Sequence, residues 1–208
     1  ASLPESRSRR TGERVARIDY FFSLLSPFTY LAGTRLEEIA VRHGATIAYK
    51  PYDILALFDR LGTPRPADRP QGRKDYRVQE LRRMAAKTGM AINLKPMFWP
   101  TNAAPASYAV IAAGKAAGGD MGALVHSLLR AAWAEEKDIA EDAVINECLK
   151  AAGFDPSLSF TGMLSGAEAY AANLEEAQAR GVFGSPFYIT DGDERFWGQD
   201  RLEDLDLH

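Results

Sequence analysis

Hydrophobic and polar positions change rhythm several times along the chain, and each change predicts an element. Val15 to Ser23 is a short apolar run, Ile18-Asp19-Tyr20-Phe21-Phe22 at its centre, and predicts a first strand. Over residues 27 to 43 the apolar positions recur at helical spacing, and Gly44 ends the pattern, so one helix is predicted there. Ala45 to Pro51 alternates and is β-branched enough for a second strand. Strand, helix, strand in this order implies a right-handed βαβ unit with a parallel pair.

The middle of the chain reads differently. A Pro/Gly-rich loop, Gly62-Thr63-Pro64-Arg65-Pro66, precedes a predicted helix from Gly72 to Lys87, ended by Gly89. Met90 to Asn102 holds Pro96 and Pro100 and reads as loop. Ala-rich helical stretches follow near 103–118, 121–136, 140–152 and 165–180. Extended character returns at Val182 to Thr190. Asp191-Gly192-Asp193-Glu194 is a hairpin-turn signal, Arg195 to Gly198 a short strand, and Gln199 to His208 the start of a last helix. The expected organisation is a leader without order over 1–14, a discontinuous α/β frame over 15–55 and 180–208, and an all-helical insertion over 56–179.

Composition excludes several function classes. With 46% hydrophobic and 25% charged residues the chain reads as an ordinary globular protein. A net charge of −3 gives no reason to expect nucleic acid or an anionic membrane as partner. No apolar run approaches the roughly 18 residues of a transmembrane helix. The first fourteen residues carry four arginines and no apolar stretch, unlike a secretory signal. A single cysteine, Cys148, makes no internal disulfide and fits a reducing cytoplasm; its apolar-periodic setting predicts a buried structural residue. His43, His126 and His208 show no metal-ligand spacing, so no metal is expected.

Ser26-Pro27-Phe28-Thr29 is the most informative stretch. Strand, tight corner, helix start is where a thioredoxin-type fold keeps a Cys-Pro-x-Cys motif, and here a hydroxyl stands at both cysteine positions. A scaffold for handling a thiolate without a thiol of its own suggests that the sulfur arrives on a ligand. The structural alternative is a helix start, with Ser26 as N-cap and Pro27 in the first turn. Gly184-Ser185-Pro186 has two readings as well: a strand-start proline, or a cis-proline loop facing Ser26 and offering backbone to a peptide-like ligand. Gly198-Gln199-Asp200-Arg201, at the next strand-to-helix junction, is either a helix cap or an ammonium-binding carboxylate with an amide beside it.

Three stretches taken together resemble a known family: Asp19 to Ala32, Arg180-Gly181-Val182-Phe183-Gly184-Ser185-Pro186, and Phe196 to Leu202. Their order and spacing are similar to those of 2-hydroxychromene-2-carboxylate isomerases, and more widely to kappa-class glutathione transferases and DsbA-like proteins. The resemblance runs from Arg17 to the C-terminus. It implies a thioredoxin-like βαβ–ββα frame with a large helical insertion, a cytoplasmic homodimer, glutathione as cofactor, and a small aromatic carboxylate as substrate. Ser26 matches the serine facing the glutathione sulfur. Ser185 and Pro186, with Val182, match the clamp on the cysteinyl backbone, and Gln199 and Asp200 the hold on the γ-glutamyl end. Lys50 and Thr63 sit where relatives contact ligand, although some relatives have asparagine at the Thr63 position. Lys50 is also the candidate for the substrate carboxylate, or a solvated strand-end lysine; Asn102 either lines the substrate side or caps a helix.

The implied chemistry is reversible addition of a thiolate to an open, conjugated keto acid, free rotation, and elimination. A thiol of pKa ~8.5 needs a shift of about two units, roughly 2.7 kcal/mol, to be mostly ionised at neutral pH. A helix N-terminus contributes about 0.3–1 kcal/mol, up to ~2 kcal/mol when partly buried, and a hydrogen bond to a charged group roughly 1.5–3 kcal/mol, so the Ser26 hydroxyl and the helix N-terminus together are expected to supply the shift. A transferase that conjugates electrophiles with the same thiolate is the alternative enzyme, and a non-catalytic thioredoxin-like binding module the alternative outside enzymes.

Overall fold

The computed structural model describes residues 15–208; the expected leader over 1–14 lies outside the described residues. Among these, a mixed four-stranded sheet forms from β1 (Arg17–Phe22), β2 (Thr46–Pro51), β3 (Phe187–Thr190) and β4 (Arg195–Trp197), in the order β2-β1-β3-β4. β1 runs parallel to β2 and antiparallel to β3, so Tyr20 lies opposite both Tyr49 and Tyr188. β3 and β4 pair antiparallel across the 191–194 turn.

Alternation along β1 assigns the two faces of the sheet, as a period of two requires. Ile18, Tyr20 and Phe22 point into a large core shared with most of the helices, where Tyr20 stacks on Tyr188 at 5.3 Å between ring centres. Phe21 points the other way, into a smaller core with Tyr52, Leu57, Phe58, Leu174, Val182 and Phe187.

Between β1 and β2 the predicted single helix over 27–43 is two: α1 (Pro27–Leu31) and α2 (Arg35–His43). The break is at Gly33, whose φ of +58° no helix interior accommodates; a Cβ there would lie 3.5 Å from the Met90 sulfur. The insertion follows β2: α3 (Ile54–Leu61), a 3₁₀ turn at Pro66–Asp68, α4 (Gln71–Thr88), α5 (Ala104–Ala116), α6 (Met121–Trp133), α7 (Asp142–Ala151), α8 (Leu158–Thr161) and α9 (Met163–Ala179). Residues 90–103 are irregular, as their prolines predict. α1 packs against α4 and α6, and α5 against α9.

Within the stretch over 182–190 the strand runs from Phe187 to Thr190, directly after the Gly184-Ser185-Pro186 loop, as the strand-start proline predicts, and Val182 and Phe183 lie outside it. One further expectation needs correction: the last helix begins as a 3₁₀ turn, Gln199–Arg201, before α10 (Leu202–Leu207). Both Ser185–Pro186 and Trp99–Pro100 are cis, the second without any expectation from sequence. Among the described residues no helix is long and apolar enough to cross a membrane, and no cluster of metal-ligating side chains occurs.

Candidate functional site

The corner after β1 is built by Ser26. Its backbone is extended, φ −86° and ψ 120°, and its Oγ accepts from the Thr29 amide at 3.2 Å, so it is the N-cap of α1 with Pro27 in the first turn. With that lone pair occupied, the Ser26 hydroxyl hydrogen is free to point elsewhere. It donates to the carbonyl of Ser185 at 3.1 Å. Thr29 Oγ1 and Ser185 Oγ are hydrogen-bonded at 2.6 Å, and Ser185 Oγ also accepts from the Ser23 amide at 2.8 Å. Both hydroxyls of the Ser-Pro-Phe-Thr motif therefore meet the Gly-Ser-Pro loop, across a buried contact in which Ser26 is only 8% exposed.

That loop is fixed from three sides. Tyr52 donates its hydroxyl to the Gly184 carbonyl at 2.5 Å, and the Gly198 amide donates to the Pro186 carbonyl at 2.9 Å. Val182 gives its amide to Ala177 at 2.9 Å and buries its side chain in the smaller core. Val182 thus supports the loop from below, with its own donor already used.

Gln199 and Asp200 lie in a cleft of about 570 Å³, lined also by Leu31, Gly33, Arg35 and Met84. Buried Gln199 accepts from Arg35 at 2.6 Å, while its amide nitrogen donates only to the Met84 sulfur at 3.0 Å, a weak acceptor. Arg35 also donates to the carbonyls of Leu31 and Ala32, tying the end of α1 to Gln199. Sequence reasoning did not find Arg35, because a lone basic residue in the first turn of a helix carries no motif. Asp200 is exposed and makes no side-chain cap, so of its two predicted roles the geometry leaves the carboxylate open to a ligand. Its place is set by Gly198, at φ +104°, where a Cβ would stand 2.5 Å from the Asp200 Oδ1.

The remaining predicted residues make their bonds to other partners. Lys50 Nζ is held by both Glu176 oxygens at 2.6 and 2.8 Å, with Asp19 at 3.5 Å. Arg180 closes the network on Asp19 at 2.7 Å and Glu176 at 3.0 Å. Burial pushes the Asp19 carboxyl up, but the Arg180 hydrogen bond and the Lys50 and Arg17 charges outweigh it and hold it below the usual range. Thr63 donates its amide to Phe58 at the end of α3, and exposed Asn102 accepts from the Ala104 amide at 3.1 Å without being the N-cap of α5, a position held by Ala103. Cys148 is free and buried; burial pushes its thiol up to about 11, away from reactivity.

A family model described as a DSBA-like thioredoxin domain matches residues 17–208. The 2-hydroxychromene-2-carboxylate isomerase of Sphingobium xenophagum is 32% identical over 195 residues, covering 92% of this chain and 96% of that protein. Glutathione S-transferase kappa 1 of Caenorhabditis elegans is 28% identical over 207 residues, 91% of this chain and 88% of that protein. The solved structure of a 2-hydroxychromene-2-carboxylate isomerase superposes with a TM-score of 0.72 at 27% identity, covering 92% of this chain and 93% of that one.

Proposed function

The chain belongs to the DSBA-like thioredoxin-domain family and, within it, to the 2-hydroxychromene-2-carboxylate isomerases, and from this premise we propose that it is an isomerase that works with glutathione on a chromene-type carboxylate. The observation that carries the glutathione dependence is the Ser26–Ser185 contact, a hydroxyl and a peptide carbonyl facing each other where relatives with two cysteines keep sulfur.

The residues present fit the tripeptide. Ser185, with Pro186 and the supporting Val182, offers a backbone carbonyl for a peptide N–H. Asp200 offers an unpaired carboxylate for an ammonium, and Gln199 an amide donor satisfied only by sulfur. Bound glutathione supplies a thiolate that adds reversibly to the conjugated carbon of a ring-opened keto acid and leaves again, so that a double bond changes geometry with no net consumption.

The protein's part is to hold that sulfur ionised. The Thr29 amide keeps Ser26 Oγ as an acceptor, so the hydroxyl must donate. When a ligand peptide N–H takes the Ser185 carbonyl, the Ser26 hydrogen is released towards the sulfur. One such bond to a charged group contributes roughly 1.5–3 kcal/mol, enough for most of the required ionisation. The dipole of α1 contributes little, since the helix has five residues. On the same premise the enzyme is a cytoplasmic homodimer of aromatic catabolism, with its frame in 15–55 and 180–208 and the helices of 56–179 inserted. The lone buried Cys148 supports a reducing compartment.

The test is spectral monitoring of 2-hydroxychromene-2-carboxylate with and without glutathione. Isomerisation that requires glutathione and leaves its concentration unchanged is the expected result. Turnover without glutathione overturns the cofactor assignment, and stoichiometric thioether formation makes the protein a conjugating transferase, as the name of the kappa relative suggests for that protein.

A further inference from the structure

Among the described residues, Arg69 and Arg77 pair with no carboxylate. Arg77, on α4, places its guanidinium 5.4 Å from the centre of the Trp99 ring. Trp99 in turn donates its indole N–H to the carbonyl of Leu25, the residue before Ser26, at 2.9 Å. Arg69, in the loop before α4, stands 5.5 Å over the Phe58 ring, with its Nε reaching the Pro64 carbonyl at 3.4 Å. Phe58 shares the smaller core with Tyr52, whose hydroxyl holds Gly184, the residue before Ser185. Arg77 is thus tied through Trp99 to the chain just before Ser26, and Arg69 through Phe58 to the smaller core, whose Tyr52 holds the Gly184 carbonyl.

Both guanidinium groups are half-buried, and burial holds each below its ordinary value. The charge that Arg77 feels is that of Arg69, and the charge that Arg69 feels is that of Arg73, so positive charge faces positive charge. Other arginines of the chain hold carboxylates: Arg60 with Glu175, Arg65 with Asp59, Arg180 with Asp19. Among the described residues Arg69 and Arg77 make no such pair. Partly desolvated cations that repel one another are costly, and a bound carboxylate relieves the cost. The guanidinium fork matches a carboxylate through two parallel N–H bonds, and the aromatic rings hold each fork in place.

We propose that Arg77, with Arg69, forms a carboxylate-binding subsite beside the Ser26–Ser185 corner. It deepens the function proposed above and rests on it for the identity of the ligand. Lys50, already neutralised by Glu176 and Asp19, leaves that task to the arginines. Two ligands bring a carboxylate to this place: the keto acid itself and the glycyl end of glutathione.

The experiment titrates the full chain separately with glutathione and with 2-hydroxychromene-2-carboxylate by calorimetry, in wild type, Arg77→Met, Arg77→Lys and Arg69→Gln. Melting temperatures establish that each variant is folded, and Arg69→Gln carries the test if Arg77→Met is not. The expected result is a ten- to hundred-fold loss of affinity for one carboxylate ligand in Arg77→Met, with partial recovery in Arg77→Lys. A loss confined to the chromene carboxylate identifies the substrate as the occupant. A loss confined to glutathione, matched by equally weak wild-type binding of its glycyl ester, identifies the glycyl end. Wild-type affinity for both ligands in folded variants overturns the subsite. A wild type that binds a carboxylate through Arg77 yet shows no glutathione-dependent turnover would sink the isomerase reading and leave the subsite standing.

Discussion

The hydroxyl of Ser26 donates to the carbonyl of Ser185, a residue 159 positions away, so two groups expected to hold a ligand hold each other. On the proposed function, a ligand entering this corner would exchange one hydrogen bond for two. It would take the carbonyl with a peptide N–H and receive the freed hydroxyl on its sulfur. Neither partner is left buried without a bond before or after, which keeps the exchange inexpensive.

Ser26 both caps α1 and supplies the donor, and two substitutions separate these roles. Ser26→Asp keeps a capping oxygen but has no hydrogen to donate at neutral pH. Turnover should fall by roughly ten- to a hundred-fold or more, and stability should fall too, because the buried carboxylate meets the Ser185 carbonyl, an acceptor against an acceptor. Ser26→Ala should lose both, with a stability cost of about 0.5–2 kcal/mol. Ultraviolet absorbance of bound glutathione thiolate reports the donor directly. An Asp variant with undiminished thiolate would remove Ser26 from the chemistry.

Asp200 caps no helix, so Asp200→Asn should leave unfolding within about 0.5 kcal/mol of wild type. Its effect belongs in the KM for glutathione, which should rise, with kcat at saturation little changed. Gly198→Ala should reproduce this defect by pushing the carboxylate aside, at an added cost in stability from its backbone angle. Normal glutathione affinity in both variants would refute the ammonium contact.

Lys50→Met is expected to act on stability and not on substrate recognition. Removing the ammonium leaves Glu176 and Asp19 facing each other with Arg180 as their shared cation. Urea unfolding should show a loss of about 1.5–3 kcal/mol, the worth of a hydrogen bond to a charged group. A KM for the chromene carboxylate that rises tenfold would instead return Lys50 to the substrate site.

His126 stacks on Tyr30 at 5.9 Å between ring centres, with its Nδ1 buried and without a partner. Burial, assisted by the Arg130 charge, lowers its affinity for a proton in the folded state. The unfolded chain then binds more protons, so stability should fall as pH drops below the unfolded value of about 6.5, down to the lower folded value. Melting curves between pH 7.5 and 5 should show a steeper loss in wild type than in His126→Phe. Equal slopes would mean that His126 is protonated within the fold at little cost.

Much of the frame was readable because it rests on local chemistry. Gly44 and Gly89 end helices where the periodicity stops, and the apolar run at 18–22 is a strand. The break at Gly33 was not readable, since a single glycine inside a periodic stretch is compatible with a continuous helix, and its left-handed φ of +58° shows only in the structure. α3 carried ordinary signals, with Asp53 capping the Ala56 amide and Gly62 closing the end, but it is short and lies where the frame gives way to the insertion. In the site, Ser26 and Ser185 could be paired because strand order brings the ends of β1 and β3 together. The arginines could not, because a charged residue on a mostly polar helix looks the same in sequence whether it meets water or the face of Trp99.

α1 also acts as a gauge. Ser26 stands at its first end, while Leu31 and the Arg35-bound Gln199 mark the cleft at its last. Five residues at about 1.5 Å each span roughly 7.5 Å. That is about the reach of two extended residues at ~3.3 Å each. On the proposed function, a thiol that meets Ser26 and Asp200 at once would carry a peptide arm of about that length. Cysteine and cysteinylglycine offer the same sulfur on a shorter tether, so the five-residue helix is expected to select against them.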